Sequence, residues 1–154
     1  LQAIQVARHW GCEIHVASRS AADLERAMAF GATTVGGYDD PPPRPLDAAI
    51  TFAPVGSVVV AALRAIDRGG VVVINAIHLD GIPAFPYDDL WWERSIRSVA
   101  NVTPQDARDY LALAAEIPIR TEVEVHPLEA GNEALARLDR GEIAGAAVLS
   151  IGAA

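Results

Sequence analysis

Apolar positions along this chain recur with two periods, one near 3.6 residues and one of 2, and the switches between them mark out an alternating order of helices and strands. Leu1, Ile4, Ala7 and Trp10 share one helical face and predict a helix over residues 1–10 that Gly11 ends. No capping residue precedes it, so the helix reads as already under way at residue 1, in a chain excised from a longer protein. Residues 13–17 follow as a short strand with Ile14 and Val16 on one face. Ser20 and Asp23 have the spacing of a capping box, which opens a helix through Leu24, Ala27 and Met28 up to Gly31.

A brief strand over 33–35 leads into prolines 41, 42, 43 and 45, which remove backbone donors and predict an extended loop. Residues 46–52 read as a buried strand broken only by Asp47. Residues 57–66 read as a helix, Gly69-Gly70 as a turn, and 71–74 as an apolar strand covered on both faces. After an irregular stretch over 78–92, a strand is expected over 95–102. Thr103, Pro104 and Asp106 then supply a cap, a first-turn proline and a third-position acid for a helix to about Ile117. Such repeated units predict a doubly wound parallel α/β sheet with right-handed crossovers.

The last third changes character. In residues 121–126, Glu122, Glu124 and His126 alternate with Val123 and Val125, the pattern of a strand with one solvent-facing side. A helix over 129–140 and a strand over 146–151 complete the chain. We assign residues 1–118 to one domain and 119–154 to the returning part of another.

Composition narrows the classes. Of 154 residues 51% are apolar, enough for one domain with a real core. No apolar run reaches the ~18 residues of a membrane span, and a soluble cytoplasmic protein is expected. Twenty acidic residues against twelve basic ones, all arginine, leave a net charge of −8 that disfavours a nucleic-acid partner. The single Cys12 reads as a small buried hydrophobe, and His9, His15, His78 and His126 form no ligand cluster, so neither a disulfide framework nor a metal site is expected in this chain. His9 and His15 read as surface or edge residues.

Six stretches, in this order, resemble the medium-chain dehydrogenase/reductase family in its zinc-type alcohol dehydrogenase branch. They are LQAIQVARHWGCEIHVASRS at 1–20, AFGA at 29–32, LDAAITFAPVGS at 46–57, ALRAIDRGGVVVINAIH at 62–78, ERSIRSVANVTPQD at 93–106 and EALARLDRGEIAGAAVL at 133–149. The resemblance implies a Rossmann-like nucleotide-binding fold lacking its first strand and glycine-rich turn, which precede a helix like 1–10 in that family. It implies that zinc ligands and the proton relay also lie upstream, so that no catalytic residue belongs to this chain. The parent would move a hydride between an alcohol or aldehyde and a nicotinamide cofactor, and this fragment alone would be inactive.

In Rossmann-like domains the end of the second strand selects the cofactor. An acid there bonds the ribose 2′-hydroxyl, whereas its absence beside an arginine accommodates a 2′-phosphate. Here that strand ends in Ser18, Arg19 and Ser20, which favours NADP(H) and leaves NAD(H) open. Ser20 also serves as a helix cap, and Arg19 also reads as a solvated loop residue. By resemblance, Ala53 and Val55 pass under the adenosine ribose, Ala76 and Ile77 line the nicotinamide pocket, and Asn101, with Ala100 on the last sheet strand, does the same.

An arginine that many relatives carry near the start of the final strand is replaced by Ala146-Ala147, with Arg140 as its candidate substitute. Phe85, Tyr87, Leu90, Trp91 and Trp92 form an aromatic-rich stretch of interface type, and relatives pair this region across a two-fold axis, so a homodimer or homotetramer is expected. Two other functions fit the same residues: a zinc-free quinone or enoyl reductase of the superfamily, and a non-catalytic nucleotide sensor.

Overall fold

The computed structural model describes residues 1–152, which form two compact units: Ala3–Leu113 with Leu1, and Ala114 onward with Gln2. Every strand pairing in both is parallel.

The first unit opens with helix α1 (Gln2–His9), strand β1 (His15–Ala17), helix α2 (Ala21–Ala29) and strand β2 (Thr34–Gly36). Ser20 Oγ accepts the Asp23 N–H at 3.2 Å, so the capping residues start α2 where their spacing predicts. Ile4, Ala27, Phe30 and Ala32 form a small core under β1 and β2, and Ile14 and Val16 pack on it from the same face. Cys12 does not join them. It is exposed, because the Cys12 N–H turns back to the Ala7 carbonyl and the side chain lies on the outside of that turn.

A second group follows: strand β3 (Leu46–Thr51), helix α3 (Gly56–Ala65), strand β4 (Ile66–Ile74), short helix α4 (Tyr87–Leu90) and strand β5 (Ser95–Ser98), in the sheet order β3-β4-β5. Val59 and Leu63 of α3 meet Ile66, Val72 and Ile74 of β4 in the main core. The expected turn at Gly69-Gly70 is instead an irregularity within β4, which pairs with β3 at Leu46↔Ile66 and resumes at Ala48↔Val71. Gly69 takes a left-handed φ of 73°, which a bulged residue requires and glycine adopts without steric cost.

Two other strands differ from expectation. Strand β3 is not buried throughout: Thr51 is, but Ile50 is 54% exposed, and no strand pairs with its outer edge among the described residues. Strand β5 ends at Ser98 rather than 102. Val99 still donates to Ile74, but Asn101 turns to a φ of 60°, so it lies beyond the strand on which Ala100 and Asn101 were expected.

Sheets β1-β2 and β3-β4-β5 remain separate, so β1 and β3 each keep one unpaired edge among the described residues. Helix α5 (Pro104–Glu116) opens on a reciprocal cap in which Asp106 Oδ2 accepts the Thr103 N–H at 2.8 Å and Thr103 Oγ1 accepts the Asp106 N–H at 3.1 Å. The Thr103 hydroxyl, which donates to Asp106 Oδ2 at 2.7 Å, and then the Thr103 N–H favour the ionised form and hold the Asp106 carboxyl below its usual range.

The second unit continues with strand β6 (Val123–Pro127), a single 3₁₀ turn at Leu128–Ala130, helix α6 (Gly131–Asp139) and strand β7 (Ala146–Ser150). Here the burial is the reverse of expectation. Val123 and Val125 are 50% and 65% exposed, whereas Glu124 and His126 are half-buried. Glu124 accounts for the inversion, because it is fully bonded: Oε2 accepts from Arg137 of α6 at 3.0 Å and Oε1 accepts the Ala144 N–H at 3.2 Å.

Candidate functional site

The carboxyl ends of β1, β2 and β3 converge on one cleft, because parallel strands with intervening helices all deliver their exit loops to the same edge. A cavity of about 190 Å³ lies there, walled by Arg19 after β1, Tyr38 and Asp39 after β2, and Val55, Ser57, Val58 and Ala61 at the start of α3. Arg19 is exposed and makes no ion pair among the described residues. Arg19 and Asp39 therefore border one cavity, whose other wall sets the apolar Val55, Val58 and Ala61 beside Ser57.

Two of the residues expected to bind a cofactor, Arg19 and Val55, line this cavity. Their neighbours have other duties. Ser18 donates its N–H to Gly36 at 3.0 Å and its Oγ accepts the Ser20 N–H at 3.2 Å, while Ser20 Oγ is engaged as the α2 cap. Ala53 is half-buried between β3 and α3. Ala76 packs against the main core, Ile77 is 89% exposed, and Asn101 is exposed; none of these three is a cavity wall. Tyr38, Asp39, Ser57, Val58 and Ala61 are wall residues that sequence reasoning missed. Tyr38 and Asp39 directly follow the β2 strand, and strand exits on one edge of a parallel sheet were the available signal.

His9, His15 and His78 are not walls of this cavity. His15 Nδ1 lies 2.9 Å from Thr34 Oγ1 on the neighbouring strand, and burial lowers the imidazole pKa, with Asp40 partly opposing. His78 is exposed. Among the described residues no three His, Cys, Asp or Glu side chains are placed to hold a metal ion. Arg140 is taken up by a two-armed contact with Glu142, at 2.6 and 2.9 Å. No helix among the described residues is long and apolar enough to cross a membrane.

In the aromatic stretch, Phe85 and Leu90 pack on the main core, while Trp91 and Trp92 remain 47% and 46% exposed. Tyr87 and Trp91 meet edge to face at 5.4 Å, and the Arg68 guanidinium lies 4.1 Å over the Trp92 ring.

Parallel strands, crossover helices and a cleft at the strands' carboxyl ends define a Rossmann-like α/β domain. The family match makes the class specific: residues 1–116 fit the zinc-binding dehydrogenase model, and the chain belongs to that family. It is 47% identical over 148 residues to a probable alcohol dehydrogenase, AdhA, of Mycobacterium tuberculosis, covering 96% of this chain and 43% of that protein. Against an alcohol dehydrogenase of Geobacillus stearothermophilus it is 31% identical over 93 residues, covering 59% of this chain and 27% of that protein. The crystal structure of the alcohol dehydrogenase from Aeropyrum pernix superposes with a TM-score of 0.80 at 23% identity, over 97% of this chain and 46% of that one. That likeness concerns the fold. The chain spans less than half the length of these relatives.

Proposed function

We propose that residues 1–118 hold the adenosine end of NADP(H) in a longer alcohol dehydrogenase, and that residues 119–154 return to its catalytic domain. The observation that carries this reading is the cleft at the strand exits, with Arg19 unpaired at its rim and an apolar wall opposite. A cation suits a 2′-phosphate, and Val55, Val58 and Ala61 suit the faces of a ribose and an adenine. The neighbouring Asp39 carboxylate works against a phosphate, so the preference rests on Arg19 outweighing it.

The relatives' names, alcohol dehydrogenase and probable alcohol dehydrogenase, support the reaction class, and the family's description supports zinc in the parent. When bound, the nicotinamide supplies hydride transfer and the metal supplies a Lewis acid, the metal's ligands lying outside this chain. What these residues contribute is binding and orientation. Ser20 takes the Asp23 N–H at the start of α2 and Asp80 takes the Gly56 N–H at the start of α3, and the family resemblance puts ahead of α1 a glycine-rich turn whose amides would meet the pyrophosphate. The unpaired edges of β1 and β3 support an additional strand there, and the open valine face of β6 supports strands of a second domain beyond it. The half-exposed Trp91 and Trp92 support pairing with a second copy.

Fluorescence titration of the full-length protein tests the cofactor assignment. NADPH should bind about tenfold more tightly than NADH, the effect of one charge-assisted contact, and Arg19→Asp should erase that preference. Equal affinities that Arg19→Asp leaves unchanged would refute it.

A further inference from the structure

Strand β2 runs out through Gly36 and Gly37, and the chain reverses directly after them. The Asp40 N–H donates to the Gly37 carbonyl at 3.3 Å, and the Gly37 N–H donates back to Asp40 Oδ2 at 2.7 Å. Residues 37–40 are therefore a turn closed twice, once by backbone and once by a side chain. Its two middle residues are Tyr38 and Asp39, the walls that this turn contributes to the cavity. A displacement of the Asp40 carboxylate removes one closure and frees those walls.

Behind the turn lies His15 of β1. Ile14 and Val16 pack on the small core, so His15 points to the opposite side of the sheet, the side it shares with Thr34 and Gly36 of β2. A Cβ at Gly36 would stand 3.5 Å from His15 Cε1 and 3.6 Å from Asp40 Oδ2, so the ring and the carboxylate flank the same bare stretch of backbone. His15 Nδ1 is held 2.9 Å from Thr34 Oγ1, while Nε2 is buried and has no hydrogen-bond partner among the described residues. A protonated imidazole carries an N–H on both nitrogens, whichever tautomer it came from, and a buried N–H without an acceptor is costly. Thr34 serves only one of them. Asp40 is the charged group that acts on the ring. Other charges are engaged elsewhere or lie across the sheet. Glu13, just before β1, pairs with Arg44 at 2.5 Å, and Arg64, the one charged residue of α3, pairs with Asp89. Arg8, His9, Asp23, Glu25 and Arg26 belong to α1 and α2, which pack on the Ile14 and Val16 face. Burial disfavours the charged ring and Asp40 partly restores it, so the His15 pKa falls below the ordinary 6.5. The neutral arrangement is complete above pH 6.5 and is lost as pH falls through the lowered value.

We infer that His15 is a proton-responsive positioning residue for the Tyr38 and Asp39 wall: neutral, it leaves the Asp40 carboxylate to close the turn on Gly37; protonated from solvent, its Nε2–H draws that carboxylate away and releases the wall. The consequence for a ligand, a weaker hold on the adenosine end in acid, rests on the nucleotide reading above. The movement of the turn does not, and the two are measured separately. In the full-length protein, hydrogen exchange of a peptide spanning residues 37–40, read by mass spectrometry and corrected for the intrinsic rate, is followed from about pH 8 to about pH 5. Protection should fall about fivefold, the scale of a charge-assisted bond near the surface. His15→Gln, which can still bond Thr34 but does not titrate, should keep the protection constant. Asp40→Asn, which keeps an acceptor for Gly37 without the charge, should do the same. Should His15→Gln fail to fold, His15→Phe gives the same reading. Affinity for ADP-ribose 2′-phosphate, compared with His15→Gln at each pH so that the ligand's own titration cancels, should fall in step. Constant protection in the wild type, an equal fall in either variant, or an affinity that ignores the change in the turn would overturn the proposal. Protection that falls as expected while the ligand binds at no pH would keep the switch and sink the nucleotide reading instead.

Discussion

Strand β4 carries three valines in succession, Val71 to Val73, and strand β6 carries Val123 and Val125 at alternate positions, and the two sets have opposite fates. In β4, Val72 is fully buried, because α3 lays Val59 and Leu63 across that face. In β6, Val123 and Val125 stand open, because α6 lies on the other face, where Arg137 reaches Glu124. One unit is closed by apolar contact and the other by a carboxylate with two partners. Alternation identifies the two faces of a strand; it does not say which face the following helix will cover.

The contrast can be broken by substitution. Leu63→Ala should have the largest effect, about 2–5 kcal/mol of stability by denaturant unfolding, since a fully buried leucine leaves both lost transfer energy and a cavity. A loss under about 1 kcal/mol would mean that α3 is not clamped as described. Val72→Ala should cost about 2 kcal/mol for two buried carbons and the space they vacate.

Acid should act on the second unit more gently. Glu124 is held below its ordinary value of 4.5, first by the Ala144 N–H and then by Arg137, against a desolvation cost. Its folded pKa is depressed, so its contribution is complete above pH 4.5 and disappears as pH falls through the lowered value. Amide protection at Ala144 and along α6, measured relative to the intrinsic exchange rate at each pH, should therefore fall with acidification below pH 4.5, and Glu124→Gln should flatten that dependence. An unchanged acid profile in Glu124→Gln would remove the carboxylate from the account. The smallest effect is the most informative. Val125→Ala, the same change as Val72→Ala, should alter the stability of the 154-residue chain by less than about 0.5 kcal/mol. A loss above about 1 kcal/mol in the longer protein alone would show that another element covers this face there.

Much of the fold was legible, and for local reasons. Ser20 with Asp23 and Thr103 with Asp106 are bonds within one helical turn, so residue type and spacing suffice to place them. The bulge at Gly69-Gly70 was not, because two glycines between apolar runs signal a turn just as well as a strand irregularity. Asn101 was expected on the strand over 95–102 and left it through a local backbone turn. In the cleft, Arg19 was expected from its place after a strand and Val55 from the family resemblance, whereas Tyr38 and Asp39 became wall residues only when β2 was set beside β1.

Sequence alone determined the order of helices and strands, their parallel class, the capped helix starts and the family, since all of these depend on residue type and short-range spacing. Tertiary structure decided which strand faces are covered, that Glu124 is held inward while two valines face out, and that Asp80 closes a helix 24 residues behind it. Those outcomes depend on pairs of groups far apart in the chain, whose meeting is set by the packing of whole elements and by no single stretch of residues.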